Sequence, residues 1–247
     1  MKPIYDRIGV KYAGNRQTDP RIAEQINATL VGARRVVNIG AGTGSYEPHG
    51  VDLIAVEPSK EMIAQRPTGS APVVQAEAES LPFEDNAFTH ALTVLSMHHW
   101  TDRAQAFAEI NRVATEQFVA VSWNPEAEPF WLTRDYFPEI HANDQQLFPG
   151  KQEFEQHFDE VSVTPLLIPE DCVDGFLAAY WKRPEAYLQA NVRQSMSVFA
   201  KRKDLAGGLQ KLQSDLESGA WEERNEGLLS EVALDAGYVI VKGRVRG

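Results

Sequence analysis

Cysteine is nearly absent from this chain: Cys172 is the single one in 247 residues. One thiol excludes a disulfide framework, and it leaves no cysteine cluster for an iron–sulfur centre or a structural zinc. No run of 18 apolar residues occurs, and no cationic region precedes an apolar core at the N-terminus. Neither a membrane span nor a cleaved leader is therefore expected, and a reducing cytoplasm is the expected location. Excess positive charge is also missing. The 24 basic residues face 35 acidic ones for a formal net charge of −11, with no segregated basic run. Such a chain repels a phosphate backbone, so nucleic acid is not an expected partner.

The residues that are present point to one glycine-rich turn. Val36-Val37-Asn38-Ile39 is an apolar run of strand character that leads into Gly40-Ala41-Gly42-Thr43-Gly44-Ser45. A buried parallel strand ending in a backbone-only loop fits this pattern, because alternate glycines allow positive φ and let a ligand approach without a Cβ in the way. Val51 to Val56 forms a second apolar run, and Glu57 follows it. An acid at the end of the neighbouring strand is where a ribose diol is held by paired hydrogen bonds. The dinucleotide fingerprint G-x-G-x-x-G requires its last glycine at position 45, where serine stands. The spacing thus argues against a nicotinamide oxidoreductase, although an ordinary strand-to-helix turn would read the same way.

A length of 247 residues with 43% hydrophobic content suits one α/β domain, 1–247, with insertions. Ile4 to Arg16 is either a cover over the glycine loop or a terminus anchored by a few aromatics. Asp19-Pro20 opens a helix expected to reach about Leu30. Pro58 starts a short helix carrying Met62 and Ile63, and Val73-Val74 is a short strand. Ala91 to Leu95 is the next strand, closing on Ser96-Met97-His98-His99-Trp100.

In order and spacing, the glycine loop, Glu57, the segment Glu77-Ala78-Glu79-Ser80-Leu81-Pro82-Phe83 and the strand ending in His-His resemble class I S-adenosylmethionine-dependent methyltransferases. The subgroup most similar is that of the small-molecule enzymes related to the ubiquinone and menaquinone C-methyltransferases. The resemblance covers roughly residues 5 to 123 and fades beyond. It implies a Rossmann-like, mostly parallel seven-stranded α/β sheet flanked by helices, with S-adenosyl-L-methionine as cofactor and a small molecule as acceptor. Under it, Gly40, Ala41, Gly42 and Gly44 pass beneath the methionine moiety, and Glu57 takes the ribose hydroxyls with Pro58 and Met62 beside it. Glu77, Ala78 and Glu79 surround the adenine, Leu95 closes the cofactor site, and Tyr12 and Arg16 lie near the methionine carboxylate. The Arg16 fork suits such a group. The chain departs from the family in having Asn38 where an acid is usual, Ala41 where cysteine is frequent and Thr89 where aspartate is usual. The Asp/Asn-Pro-Pro-aromatic tetrad that marks methylation of adenine or amide nitrogens is replaced by Ser96-Met97-His98-His99.

Residues 103 to 114 form an expected helix with Ala104, Phe107, Ile110 and Val113 inward, and Glu116-Gln117 is expected to turn it into the strand Phe118 to Trp123. An aromatic-rich helix follows Asn124, and Val161 to Ile168 is a further strand. Residues 169–235 are an expected helical insertion before the last strand, Tyr238 to Val241, with helices at Val173–Trp181, Val192–Lys201 and Leu205–Leu216. This insertion is expected to cap the substrate side. Its aromatics Phe176, Tyr180, Trp181 and Tyr187 serve either that cap or a small core of their own.

The implied chemistry is in-line displacement at the methyl carbon, which rewards positioning and exclusion of water. His98 and His99, at the carboxyl end of a strand, are the candidates for a base, or else they shape the pocket by hydrogen bonding. No metal is expected, since adjacent histidines rarely converge on one ion. Trp123, Phe130, Trp131 and Arg134 are the expected acceptor-side residues. A non-catalytic cofactor-binding relative is the remaining alternative, because no particular catalytic residue is obligatory for this reaction.

Overall fold

A computed structural model describes residues 17–200, 202 and 204–247. Its first helix, α1 (Pro20–Asn27), starts where Asp19 caps it and proline occupies the first turn, and it buries Ile22 and Ile26. A 3-10 turn, Ala28–Leu30, completes it at the expected residue. Then come β1 (Arg35–Ile39), β2 (Asp52–Val56), α2 (Lys60–Ala64), β3 (Val73–Val74) and β4 (Phe88–Val94). The helix α3 (Arg103–Val113) leads to β5 (Ala114–Trp123). Next in order are α4 (Trp131–Asp135), α5 (Pro138–Leu147), α6 (Lys151–His157), β6 (Asp159–Pro165) and β7 (Ile168–Pro169). The remainder is α7 (Ala190–Gln194), α8 (Ser197–Ala200), α9 (Ala206–Ser218), α10 (Ala220–Arg224), α11 (Glu226–Leu229), β8 (Ala233–Leu234) and β9 (Tyr238–Arg244).

Seven strands form one sheet in the order β3-β2-β1-β4-β5-β9-β6. Pairings among β1 to β5 are parallel, whereas β9 runs antiparallel to both of its neighbours. The strand order reverses between β1 and β4, and ligands in open α/β sheets bind outside the carboxyl ends of the strands at such a point. Apolar clusters cover both faces of the sheet. One joins Ile22 and Ile26 to Leu92 and Trp181, and the other joins Val37 and Ala91 to Phe107 and Phe154. A third cluster, with Trp131, Phe137, Tyr187 and Trp221, holds α4 and α5 against the 169–235 stretch.

Four details differ from expectation. Ala114 is already extended and its N–H closes α3 onto the Ile110 carbonyl, so helix passes directly into strand with no turn at Glu116-Gln117. The inward alanine of α3 is Ala106, and Ala104 is exposed. Val173–Trp181 is a series of turns, not a helix. There the Asp174 carboxylate takes the Gly175 N–H, and the Trp181 indole donates to the Ile168 and Pro169 carbonyls, which favours local turns over a helical ladder. The expected helix over Val192–Lys201 is split into α7 and α8 at Ser195-Met196. β7 pairs antiparallel with β8, which fastens the two ends of the long stretch together. No helix among the described residues is long and apolar enough to cross a membrane.

Candidate functional site

The glycine turn is built on β1 and folded back over the end of β2. The amides of Gly40 and Ala41 both donate to the Val56 carbonyl, at 2.8 and 3.0 Å. Glu57, 5% exposed, then reaches over the turn: its Oε2 accepts from the Gly42 amide at 2.8 Å and its Oε1 from the Ser59 amide at 2.9 Å. Two backbone donors fix the carboxylate in one orientation. Gly42 has φ +55°, and a Cβ there would meet only the Met62 Cε at 3.4 Å, so the loop is open on the face where a ligand would lie. Below the loop, the Oδ1 of Asn38 is buried without a hydrogen-bond partner on a residue that is 1% exposed. A buried acceptor left without a donor is costly unless a ligand supplies one.

The end of β4 meets this turn from the other side. Leu95 is left-handed, with φ +50°, and its amide donates to the Val121 carbonyl. A non-glycine residue in that conformation is strained, and such residues concentrate at functional sites. Ser96 then turns back to the Ile39 carbonyl, and the 3-10 turn Met97–His99 carries the two histidines. Their rings lie 3.8 Å apart between centroids, and His98 also meets Phe148 at 4.9 Å. Glu79 secures the far side of this turn: its Oε1 accepts from the Thr101 amide, the Thr101 hydroxyl and the Asp102 amide.

A cavity of about 400 Å³ opens beside the end of β4. Leu95 and His98 line it from the strand end, Trp123 from β5, Phe148 from beyond α5 and Tyr238 from β9. Asn143, Asp144 and Leu147 of α5 add to it, and Phe176, Leu177, Ser195 to Val198 and Arg202 line it from the 169–235 stretch. A pocket of this size, with aromatic walls and the polar groups of Asn143, Asp144, Ser197 and Arg202 among its lining, suits a small organic molecule that carries polar substituents.

Beyond Gly44 the chain meets this stretch again. Tyr46, also left-handed at φ 62°, donates its hydroxyl to the fully buried Asp174 at 2.9 Å, and its amide donates to the Thr18 hydroxyl. Fully buried Asp19 lies alongside. Burial works to raise its carboxyl, but the Arg21 side chain and the Val173 and Arg21 amides outweigh that and hold it at about 2.

Of the sequence-derived residues, Gly40, Ala41, Gly42, Glu57 and Met62 gather at the turn, Pro58 sits between Glu57 and the Ser59 amide, and Gly44 closes the loop onto the Ala41 carbonyl. Ala78 is buried and Glu77 exposed beyond β3. Tyr12 and Arg16 lie outside the described residues. The Glu79 carboxylate bonds to the 101–102 turn and so organises the histidine turn. His98 lines the cavity; His99 does not, and its ring lies against that of His98.

The acceptor-side expectation needs correction. Trp131 is 1% exposed and its indole donates to the Trp181 carbonyl, which makes it a core residue. Arg134 points to solvent in a salt bridge with Asp135. Phe130 borders a small adjoining void and not the main cavity, which Trp123 does line. Phe148, Phe176, Met196 and Tyr238 went unpredicted because no spacing in the sequence links residues brought together from separate segments. Ser96 carried a weak signal, as a small polar residue directly after a buried strand.

Residues 37–117 match the family model described as a methyltransferase domain. A solved structure from Anabaena variabilis ATCC 29413, assigned to a methyltransferase of an antibiotic biosynthesis pathway, is 30% identical and covers 93% of this chain and 98% of its own, with a TM-score of 0.83. The chain belongs to the S-adenosylmethionine-dependent methyltransferases. Among curated relatives, a chloroplastic 2-methyl-6-phytyl-1,4-hydroquinone methyltransferase of Oryza sativa subsp. japonica is 28% identical over half of this chain and 37% of its own length. The methyltransferase YcgJ of Bacillus subtilis is 32% identical over 32% of this chain and 36% of its own. The matched segment thus spans little more than a third of either relative. S-adenosyl-L-methionine is the cofactor. The residues fit it: an acid fixed for a diol at Glu57, an open backbone at Gly42 and a buried acceptor at Asn38 without a partner.

Proposed function

We propose that this protein methylates a compact small molecule bound in the cavity between the end of β4 and the 169–235 stretch. The supporting observation is that Leu95 and His98 line the cavity from the same short turn whose Ser96 packs against Gly40 of the cofactor loop. The acceptor and cofactor sites therefore share one element. S-adenosylmethionine, when bound, supplies an electrophilic methyl group on a sulfonium. In this reading Gly40 to Gly44 carry its methionine moiety, Asn38 accepts from it, Glu57 holds its ribose, and Glu77 and Ala78 border its adenine.

The chain's own contribution is then placement and exclusion of water. Trp123, Phe148, Phe176 and Tyr238 supply flat apolar walls against which a ring stacks. The 169–235 stretch caps them, with β7 and β8 holding its ends. An acceptor hydroxyl, amine or acidic carbon loses a proton as it reacts, and the His98 imidazole, on the cavity wall, is the group proposed to take it. His99 backs the His98 ring and fixes its place.

The test is incubation of the protein with methyl-labelled cofactor and fractionated small-molecule extracts, with S-adenosylhomocysteine release measured in parallel. Label in a low-molecular-mass product identifies the acceptor. Binding of S-adenosylhomocysteine without transfer to any fraction would favour a non-catalytic relative instead.

A further inference from the structure

A buried ion pair underlies the glycine loop. The side chains of Arg66 and Glu47 are 5% and 8% exposed and meet at 2.5 Å. Arg66 lies just beyond α2, and Glu47 just beyond the glycine run. The guanidinium does more than pair: its Nη1 donates to the Gly42 carbonyl at 3.2 Å and its Nη2 to the Ala71 carbonyl at 3.2 Å. Glu47 in turn accepts the Ala71 amide at 3.1 Å.

Burying two charges carries a desolvation cost, and well-packed hydrocarbon of the same volume often stabilises a fold as well or better. Hydrocarbon cannot supply directed hydrogen bonds to backbone carbonyls. The planar fork of arginine can, and it reaches two carbonyls and one carboxylate at once. Gly42 is consequently held from both sides, by Glu57 on its N–H and by Arg66 on its C=O. Those bonds set the two peptide planes flanking a residue that has no side chain to restrain it. Any rotation of Gly42 would also release one of the two donors that orient the Glu57 carboxylate.

We infer that Arg66, anchored by Glu47, is a positioning residue that sets the Gly42 backbone and through it the Glu57 carboxylate for cofactor binding. It touches the loop from below and does not itself meet the reacting atoms. The inference rests on the assignment of Gly40–Gly44 and Glu57 as the cofactor site.

The experiment is calorimetric binding of S-adenosylhomocysteine to the parent, Arg66→Lys and Glu47→Gln, with thermal melts and amide hydrogen exchange of the 40–46 segment. Lysine keeps the charge and the stem but offers one compact donor group, so it cannot satisfy Gly42, Ala71 and Glu47 together. Both variants should bind about tenfold or more weakly, since small misplacements of a preorganised site cost that much. Exchange of the 40–46 amides should quicken in the ligand-free variants. At saturating cofactor, the acceptor KM should stay at the parent value, whereas the cofactor KM rises. A merely structural role would lower the melting temperature and leave the affinity of the folded protein unchanged. Folded variants that bind as tightly as a binding-competent parent overturn the inference. A parent that does not bind at all removes the cofactor assignment, and the inference with it.

Discussion

Gly40 packs against Ser96 so closely that a Cβ built on the glycine would stand 2.4 Å from the serine Oγ and 2.5 Å from its Cβ. The Ser96 and Thr93 hydroxyls are 2.6 Å apart and converge on the Ile39 carbonyl, so the ends of β1 and β4 are locked by side chains as well as by the sheet. The glycine turn and the histidine turn are thereby tied together by side-chain contacts. Gly40 also has φ +71°, which a side chain disfavours independently of the clash. Gly40→Ala should therefore cost about 2–4 kcal/mol of folding stability, combining overpacking with backbone strain. Adding Ser96→Gly should recover part of that loss in chemical denaturation. A single variant as stable as the parent would show that the two strand ends are not in contact.

Glu57→Ala removes the acceptor of the Gly42 and Ser59 amides as well as the proposed ribose partner. Cofactor binding should weaken by about 2–4 kcal/mol in calorimetry, the scale of two charge-assisted hydrogen bonds. Unchanged affinity in a folded variant would place the ribose elsewhere.

Asn38 offers a separable effect. Its Oδ1 has no partner in the protein, so Asn38→Leu removes an unsatisfied buried acceptor from the ligand-free fold. The ligand-free variant should melt no lower than the parent, while its affinity for S-adenosylhomocysteine falls by about 1–2 kcal/mol. Equal affinity in the two proteins would mean that Asn38 does not face the cofactor.

The parts that were legible in the sequence are those whose signal is local. Val36 to Ile39 reads as a buried strand because parallel strands covered on both faces are continuously apolar. Glu57 reads as functional because an acid closing an apolar strand has no packing role to explain it. Arg66 and Glu47 were not legible, since nothing in the spacing of two charges on separate loops marks them as paired and buried. The cavity was hidden for a similar reason. Whether Phe130 or Trp131 faces it depends on how the five-residue helix α4 is rotated, and that is set by contacts of Trp131 with Tyr187 and Trp221 far along the chain. The Val173–Trp181 segment misled because apolar residues at helical spacing are equally served by turns once Asp174 and the Trp181 indole bind nearby backbone.

Acid should weaken the junction at Asp19. Its carboxyl titrates at about 2 in the fold against an ordinary value of 3.8, so the ionised form is the one the fold favours. The contribution is fully present above about pH 4 and is lost as the pH falls from there towards 2. It amounts to about 1–2 kcal/mol, reduced from the full shift because the partner Arg21 is half in solvent. Asp19→Asn should abolish this component of the stability–pH profile. An identical acid limb in both proteins would assign it to other carboxylates.

Phe148 and Trp131 together test whether the cavity is the acceptor site. Phe148 lines it and stands against both His98 and Trp123, whereas Trp131 sits in the third cluster with its indole bonded to the Trp181 carbonyl. Trp131→Ala opens a hole in a closed core and should destabilise the protein by about 3–5 kcal/mol, lowering cofactor binding and turnover together as the fold is lost. Phe148→Ala removes a wall that is only partly buried and should spare the fold. Its cofactor affinity should stay within about 0.5 kcal/mol of the parent, as expected for a residue away from the cofactor, while the acceptor KM rises or turnover slows. Steady-state kinetics on the acceptor found in the labelled screen, paired with calorimetry, separates the two effects. Parent-like acceptor kinetics in Phe148→Ala would move the acceptor out of this cavity, because a planar substrate stacked there cannot lose one of its walls without cost.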